Sequence, residues 1–344
     1  MRYATYLVAR SPGFEVNDIG FMRETDQIGV GGFGGYRLLQ PNRFFRRGGL
    51  NLNAWTYDNF DGLLVARGGN VNGNVQLHNY WFVFAGLARN FDNWSTDALR
   101  GGPAIVEPGE TSGWLGVETD ERRSLQLEIY GERGFEDDTD GGWWELSVEG
   151  IWQATPGTRV VLEPFLESRR DAWQYVATPE DPGGTPHYVF ADLRRRTFGL
   201  TTRVEHTFTP RFGIHLYAQP FVSAGDYGGF REVIDPRAGA FDERFADFGE
   251  DGIVLEDGVF RVDRDGPGGE IEFDDPNFNF RELRSTLVAR WEYRPGSTAY
   301  LVWSQDRDSE VSDPRFRPGA DLGELFDAEA RNVFLIKVSG WLNL

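Results

Sequence analysis

The sequence predicts an all-β protein and, within that class, an antiparallel up-and-down transmembrane β-barrel of about 14 strands. Three observations predict it. The chain holds 43 glycines and 15% aromatic residues but only 2 methionines, a balance that favours strands and turns over helices. Stretches of strand length alternate, residue by residue, between a charged face and an apolar face that ends in amphipathic aromatics. The connections between these stretches alternate in length, so the short turns share one rim and the long loops the other.

The clearest stretch is 281–305. Counting by twos, Glu282, Arg284, Thr286, Arg290 and Glu292 share one face, and Leu283, Leu287, Ala289, Trp291 and Tyr293 share the other. Arg294-Pro295-Gly296-Ser297 supplies a fixed φ and then a position tolerant of positive φ, which predicts a tight reversal and an antiparallel return from Thr298. A globular sandwich wets its polar face and buries its apolar one. Several full charges per strand opposite an aromatic-edged apolar face fit water on one side and lipid on the other.

Taken in order, strands are expected at 3–10, 27–39, 48–58, 66–77, 80–91, 111–118, 124–133, 142–153, 158–175, 187–208, 211–223, 279–294, 298–307 and 331–343. Short turns fall at 40–43, 78–79, 120–123, 155–158, 209–211 and 294–297, and long acidic connections at 11–25, 93–110, 134–141, 177–186, 224–278 and 308–330. In 142–153, Glu145 and Glu149 oppose Trp144 and Trp152. In 158–175, Arg159, Glu163 and Glu167 share the polar face, and Arg203, Glu205, His215 and Tyr217 continue it over 195–223. The expected lumen lining is therefore Glu145, Glu149, Arg159, Glu163, Glu167, Arg203, Glu205, His215, Tyr217, Glu282, Arg284, Arg290 and Glu292. Trp144, Trp152, Trp291, Tyr293 and Trp341 are the expected lipid-interface aromatics. Cross-strand ion pairs would hold a hydrated wall, or a ring of such charges would select ions.

Composition narrows function further. No run of eighteen apolar residues supplies a membrane helix, and the mean hydropathy of -0.46 does not count against a barrel, whose lipid-facing half is hidden by alternation. With no cysteine there is no disulfide, thiolate metal site or cysteine nucleophile. A net charge of -19 excludes the basic surface that nucleic acid needs. Of the 35 basic residues only Lys337 is a lysine, a bias best read as genomic. The 224–278 connection is glycine-rich and acidic, and is expected to fold inward, to cap the mouth, or to form a surface arm. Asp263, Asp265 and Glu270 have the types but not the spacing of a calcium loop, and a solvated acidic loop is the better reading. The four histidines, His78, His187, His206 and His215, belong to no catalytic motif.

Residues 11–21, SPGFEVNDIGF, together with Phe45-Arg46-Arg47, the 290–305 hairpin and the closing FLIKVSGWLNL, resemble a bacterial outer-membrane family. It is the family of carbohydrate-binding family-nine domain proteins, whose C-terminal barrel is a domain of unknown function. The resemblance covers the whole chain. It implies an outer-membrane location, and an export signal, a periplasmic sugar-binding-like domain and further strands preceding this region. Met1-Arg2 leads at once into a strand, so none of these is expected within 1–344, and the barrel is either closed here or the C-terminal part of a larger one. The expected function is a passive channel or uptake component for saccharides or other small polar solutes, with no cofactor, no metal and no covalent chemistry. The alternatives are a plugged scaffold barrel that docks a partner and, third, a barrel hydrolase using His215.

Overall fold

The computed structural model describes residues 1–16, 18, 20, 22, 24–249, 252–263 and 270–341. Alternation produces the expected strands. The first group is β1 (Arg2–Arg10), β2 (Gln27–Leu38), β3 (Phe45–Asp58), β4 (Leu64–Leu77) and β5 (Phe82–Asn90). A small hairpin of β6 (Asn93–Ser95) and β7 (Ile105–Glu107) separates it from β8 (Glu110–Glu118), β9 (Leu125–Glu136) and β10 (Gly142–Thr155). Three longer strands follow, β11 (Thr158–Ala177), β12 (Val189–Thr209) and β13 (Phe212–Val233). After them come the short β14 (Phe245–Asp247), β15 (Ile253–Glu256), β16 (Val259–Val262) and β17 (Ile271–Asp274). The chain ends with β18 (Phe278–Arg294), β19 (Ser297–Val311), helix α1 (Pro318–Leu325) and β20 (Arg331–Ser339).

Fourteen of these strands form one antiparallel sheet in chain order, β1-β2-β3-β4-β5-β8-β9-β10-β11-β12-β13-β18-β19-β20, with β14 added to the end of β13. The sheet is not closed. Among the described residues β1 pairs only with β2 and β20 only with β19, so of the two expected arrangements, a barrel closed here or part of a larger one, the closed one is not what this sheet forms. Closure depends on where the first and last strands meet and at what shear, and the two-residue period within each strand carries no information on either. The register nonetheless keeps the two faces unmixed over long distances. One apolar row runs across eight strands as Leu125, Trp152, Val160, Val204, Leu216, Leu287, Trp303 and Phe334.

The six tight connections lie on one rim. Gly296 takes φ 75° in the β18–β19 turn, as the Pro-Gly pair requires, and donates its N–H to the Glu292 carboxylate at 3.0 Å. On the other rim the connections range from five residues, as between β9 and β10, to the 44 residues from 234 to 277. That longest connection is not a surface arm. β11, β12 and β13 reach beyond their neighbours, and the returning chain packs on them as β14 and the three-stranded sheet β15–β17.

Two buried clusters hold this extension. Phe190, Phe241, Phe245 and Val233 enclose Leu99 and Ile105 from the β5–β8 connection. Val189, Ala191 and Phe230 meet Val262, Ile271 and Phe273 of the small sheet. Removing the 224–278 segment would therefore uncover two apolar cores, so it is not the cheap deletion that an ordinary loop would be. Helix α1 is fastened by charge instead. Asp321, fully buried, accepts the Arg281 guanidinium at 3.1 Å and the Arg317 N–H at 2.7 Å, while Glu324 takes Arg281 at 2.5 Å.

Candidate functional site

The ladders settle which predicted residues share a surface. Glu145 stands opposite Glu167, Arg159 opposite Glu205, Glu205 opposite His215 and Arg203 opposite Tyr217. Continuing through β13 and β18, Phe221 faces Glu282, Gln219 faces Arg284 and Gly213 faces Arg290. All thirteen residues expected on the polar side thus occupy one face. Ion pairs stud its C-terminal part: Arg195 to Glu167 at 2.9 Å, Arg203 to Glu163 at 3.8 Å and Arg284 to Glu282 at 2.6 Å. Arg203 also lies over the Tyr217 ring at 5.6 Å, and Tyr217 donates to Gln219 at 2.8 Å. Glu292 stands apart, its carboxylate engaged in capping the β18–β19 turn.

Strands β8–β11 are different. Here glutamate faces glutamate directly: Glu118 with Glu128, Glu128 with Glu149, Glu132 with Glu145, Glu145 with Glu167, and Glu110 with Glu136. Like charges in register repel, by about 0.2–1 kcal/mol per pair on general grounds. Sequence reasoning found single members of this lane but not the lane. The signal was present as a four-residue recurrence, Glu128, Glu132, Glu136 on one strand, Glu145, Glu149 on the next and Glu163, Glu167, Asp171 on the third.

A second feature of this face went unread. Aromatic rings lie across it over directly opposed glycines, among them Tyr6 over Gly31, Trp55 over Gly68, Phe84 over Gly116, Trp114 over Gly86, Trp143 over Gly134, Phe165 over Gly199 and Phe278 over Gly225. A Cβ at any of these glycines would collide with its ring, so the missing side chain lets the ring lie flat against the wall. Phe84 stacks further on Tyr130, whose hydroxyl donates to Glu132 at 2.5 Å. Period-two reading assigns the aromatics to the apolar side and so overlooks these. Further towards the N-terminus the same face turns neutral, with Asn51, Asn53, Asn70 and Asn72 joined at 2.7–2.9 Å.

The opposite face carries the expected aromatics. Trp144 and Trp152 flank Leu146 and Val148 on β10, and Trp291 lies 6.0 Å from Tyr293. Trp341 lies past the ladder: β20 ends at Ser339, and Trp341 sits beside Gly296 with its backbone N–H on the Ser297 hydroxyl at 3.0 Å, so no strand pairing places it on either face. Leu342 and Leu344 lie outside the described residues, as does Asp265 of the calcium-like stretch.

Above the long-loop rim, a cleft of about 580 Å³ separates the β6–β7 hairpin from the wall, lined by Asp97, Arg100, Glu107, Glu110, Glu136, Arg169, Asp171 and Trp173. Burial pushes the Glu107 carboxyl above its usual range. His187, nearly buried, contacts Glu232 at 2.6 Å and Asp181 at 3.5 Å, which ties the β11–β12 connection to β13. His206 accepts or donates to Thr158 at 2.8 Å on the apolar side, and His78 meets the Asn42 carbonyl at 2.7 Å in the turns. Among the described residues no group of acidic, histidine or cysteine side chains is arranged to hold a metal ion.

A family model matches residues 1–344 throughout. The chain belongs to the family described as Domain of unknown function (DUF5916). No curated protein and no solved structure matches it. For a DUF5916 chain, then, function has to be argued from the two faces themselves.

Proposed function

We propose that this domain is wall of an outer-membrane β-barrel, with the charged face towards a water-filled passage and the apolar face towards lipid, and that it passes small polar solutes passively with a preference for cations. The observation that carries this reading is the row-by-row opposition of glutamates on β8–β11. A wall needing only to be wet would place neutral or opposite-signed neighbours there, as it does on β3–β4 and β12. Carboxylates opposed in register, with an ion pair only at Glu167 among the described residues, create a sustained negative potential, and a passage lined by it concentrates cations. Flat aromatic faces between the carboxylates add a surface on which organic cations or the apolar faces of sugars can rest. The resemblance to carbohydrate-binding family-nine domain proteins makes saccharides the neutral solutes to try first.

In hydrocarbon the free edges of β1 and β20 would need hydrogen-bonding partners, supplied by further strands of the same wall. The test is conductance in planar bilayers. Steady openings with a cation preference that falls in a Glu132→Gln, Glu145→Gln, Glu149→Gln triple variant support the reading. Insertion without conductance favours a plugged scaffold, a reading supported by Arg244, which reaches across to the Val106 carbonyl at 3.0 Å and joins two long connections over the rim.

A further inference from the structure

On the apolar face, the belt of aliphatic residues stops abruptly near the long-loop rim. Its last complete row is Gly131, Leu146, Leu166 and Phe198. Two residues further along each strand, about 7 Å at the usual strand rise, the row reads Arg133, Trp144, Ser168, Arg196. The next reads Phe135, Gly142, Arg170, Arg194. These residues line a cleft of about 470 Å³, to which Glu136, Thr139, Asp140, Arg169 and Arg195 also contribute.

In these two rows four guanidiniums gather on a chain whose net charge is -19. Of the nearby carboxylates, Asp192 at 2.5 Å and Asp140 at 3.3 Å are engaged by Arg170, and Glu136 accepts from the Thr139 hydroxyl at 3.0 Å. Among the described residues Arg133, Arg194 and Arg196 make no ion pair; all three are exposed, and Arg133 lies only over the Phe135 ring at 4.6 Å. Asp226, opposite Arg194 in the ladder, does not pair with it. A wall needing only solubility has no reason to collect unpaired arginines on its oil-facing side. At the depth where hydrocarbon gives way to headgroups, with an indole at the boundary, they are placed for anionic oxygens.

We propose that this cleft binds the phosphate groups of an anionic membrane amphiphile, whose acyl chains lie on the Leu146–Leu166–Phe198 row below. Arginine forks suit phosphate in two-point contact. Arg133 and Arg196 lie three strands apart, roughly 14 Å, a span that matches a headgroup bearing two phosphates better than a single one. The proposal rests on the membrane reading above.

The test is native mass spectrometry of the protein released from neutral-lipid nanodiscs doped with a bisphosphorylated glycolipid, with its dephosphorylated form, or with inorganic phosphate alone. Retention of the bisphosphorylated lipid only is expected. Arg133→Gln, Arg194→Gln and Arg196→Gln should each weaken retention roughly fivefold. Arg203→Gln, on the opposite face, should leave it unchanged, and all variants should insert into neutral nanodiscs as the parent does. Equal retention of the dephosphorylated lipid, equal binding of free phosphate, or indifference to the three substitutions overturns the proposal while leaving the membrane reading in place. Failure of the parent to enter nanodiscs overturns both.

Discussion

The wall at β8–β10 and the projecting ends of β11–β13 are parts of one sheet built on opposite rules. In the wall a single layer exposes both faces, Leu115 and Ile129 are more than half exposed, and glutamates oppose one another in register. In the projection Val189, Phe190 and Ala191 are essentially inaccessible beneath a second layer, His187 contacts Glu232, Arg170 pairs with Asp192, and the buried Arg244 is held by the Val106, Ala238 and Gly239 carbonyls. The projection stabilises itself by burying apolar area, as a water-soluble domain does. The wall does not, which is what the proposed setting of lipid on one side and water on the other would require. The difference teaches that exposed leucine and opposed glutamate are two halves of one requirement.

The contrast is sharpest where a charge sits in the layered region. Arg281→Leu leaves the buried Asp321 with only the more distant Arg317 guanidinium, at 3.9 Å, and removal of one partner of a buried pair costs about 3–5 kcal/mol. Residues 312–326 should then become open to protease and to rapid amide exchange, and unchanged protection would show that something other than this pair docks α1. Leu287→Arg places a charge in the apolar row, where the expected penalty is about 2–4 kcal/mol near mid-membrane, whereas Thr286→Arg on the other face should be tolerated. Folded yield in membranes reads the difference. Equal yields would mean that the faces are exchanged or that lipid touches neither.

Smaller effects separate the regions further. His187→Ala removes a hydrogen bond between buried groups and should destabilise the projection by about 1–3 kcal/mol without touching the wall, visible as selective loss of exchange protection around 187–190 and 230–233. Glu145→Gln should act the other way, relieving repulsion from Glu132 and Glu167 and stabilising the wall by about 0.2–1 kcal/mol per pair, at the expense of cation preference. A lower melting temperature in that variant would contradict the reading of the lane as strained.

The smallest effects are pH-dependent and opposite at the two rims. Arg122 holds the Asp120 carboxyl down at about 2, so its contribution to the 119–124 turn is present above the ordinary aspartate range and lost as pH falls towards 2. Glu107 is raised by burial, so its cost to the β6–β7 hairpin is felt at neutral pH and relieved on acidification through the carboxylate range. Amide exchange should slow in the hairpin between pH 7 and pH 4 while the turn holds, and the turn should loosen only as pH falls further towards 2.

The sequence by itself determined the strand positions, the short-turn rim and the assignment of thirteen polar residues to one face, because alternation has a period of two and a ladder transmits it unchanged from strand to strand. Glu282 and Arg290 were placed correctly from a single hairpin for that reason. The tertiary structure alone decided what depends on register between strands: that Glu145 meets Glu132 and Glu167 rather than an arginine, and that Trp143 covers Gly134. It also decided that the 234–277 connection builds a core with Leu99 and Ile105, residues more than a hundred positions away. Among the described residues the first and last strands do not pair with each other for the same kind of reason, since a strand's own period fixes which way its side chains point and is silent on which strand lies beside it.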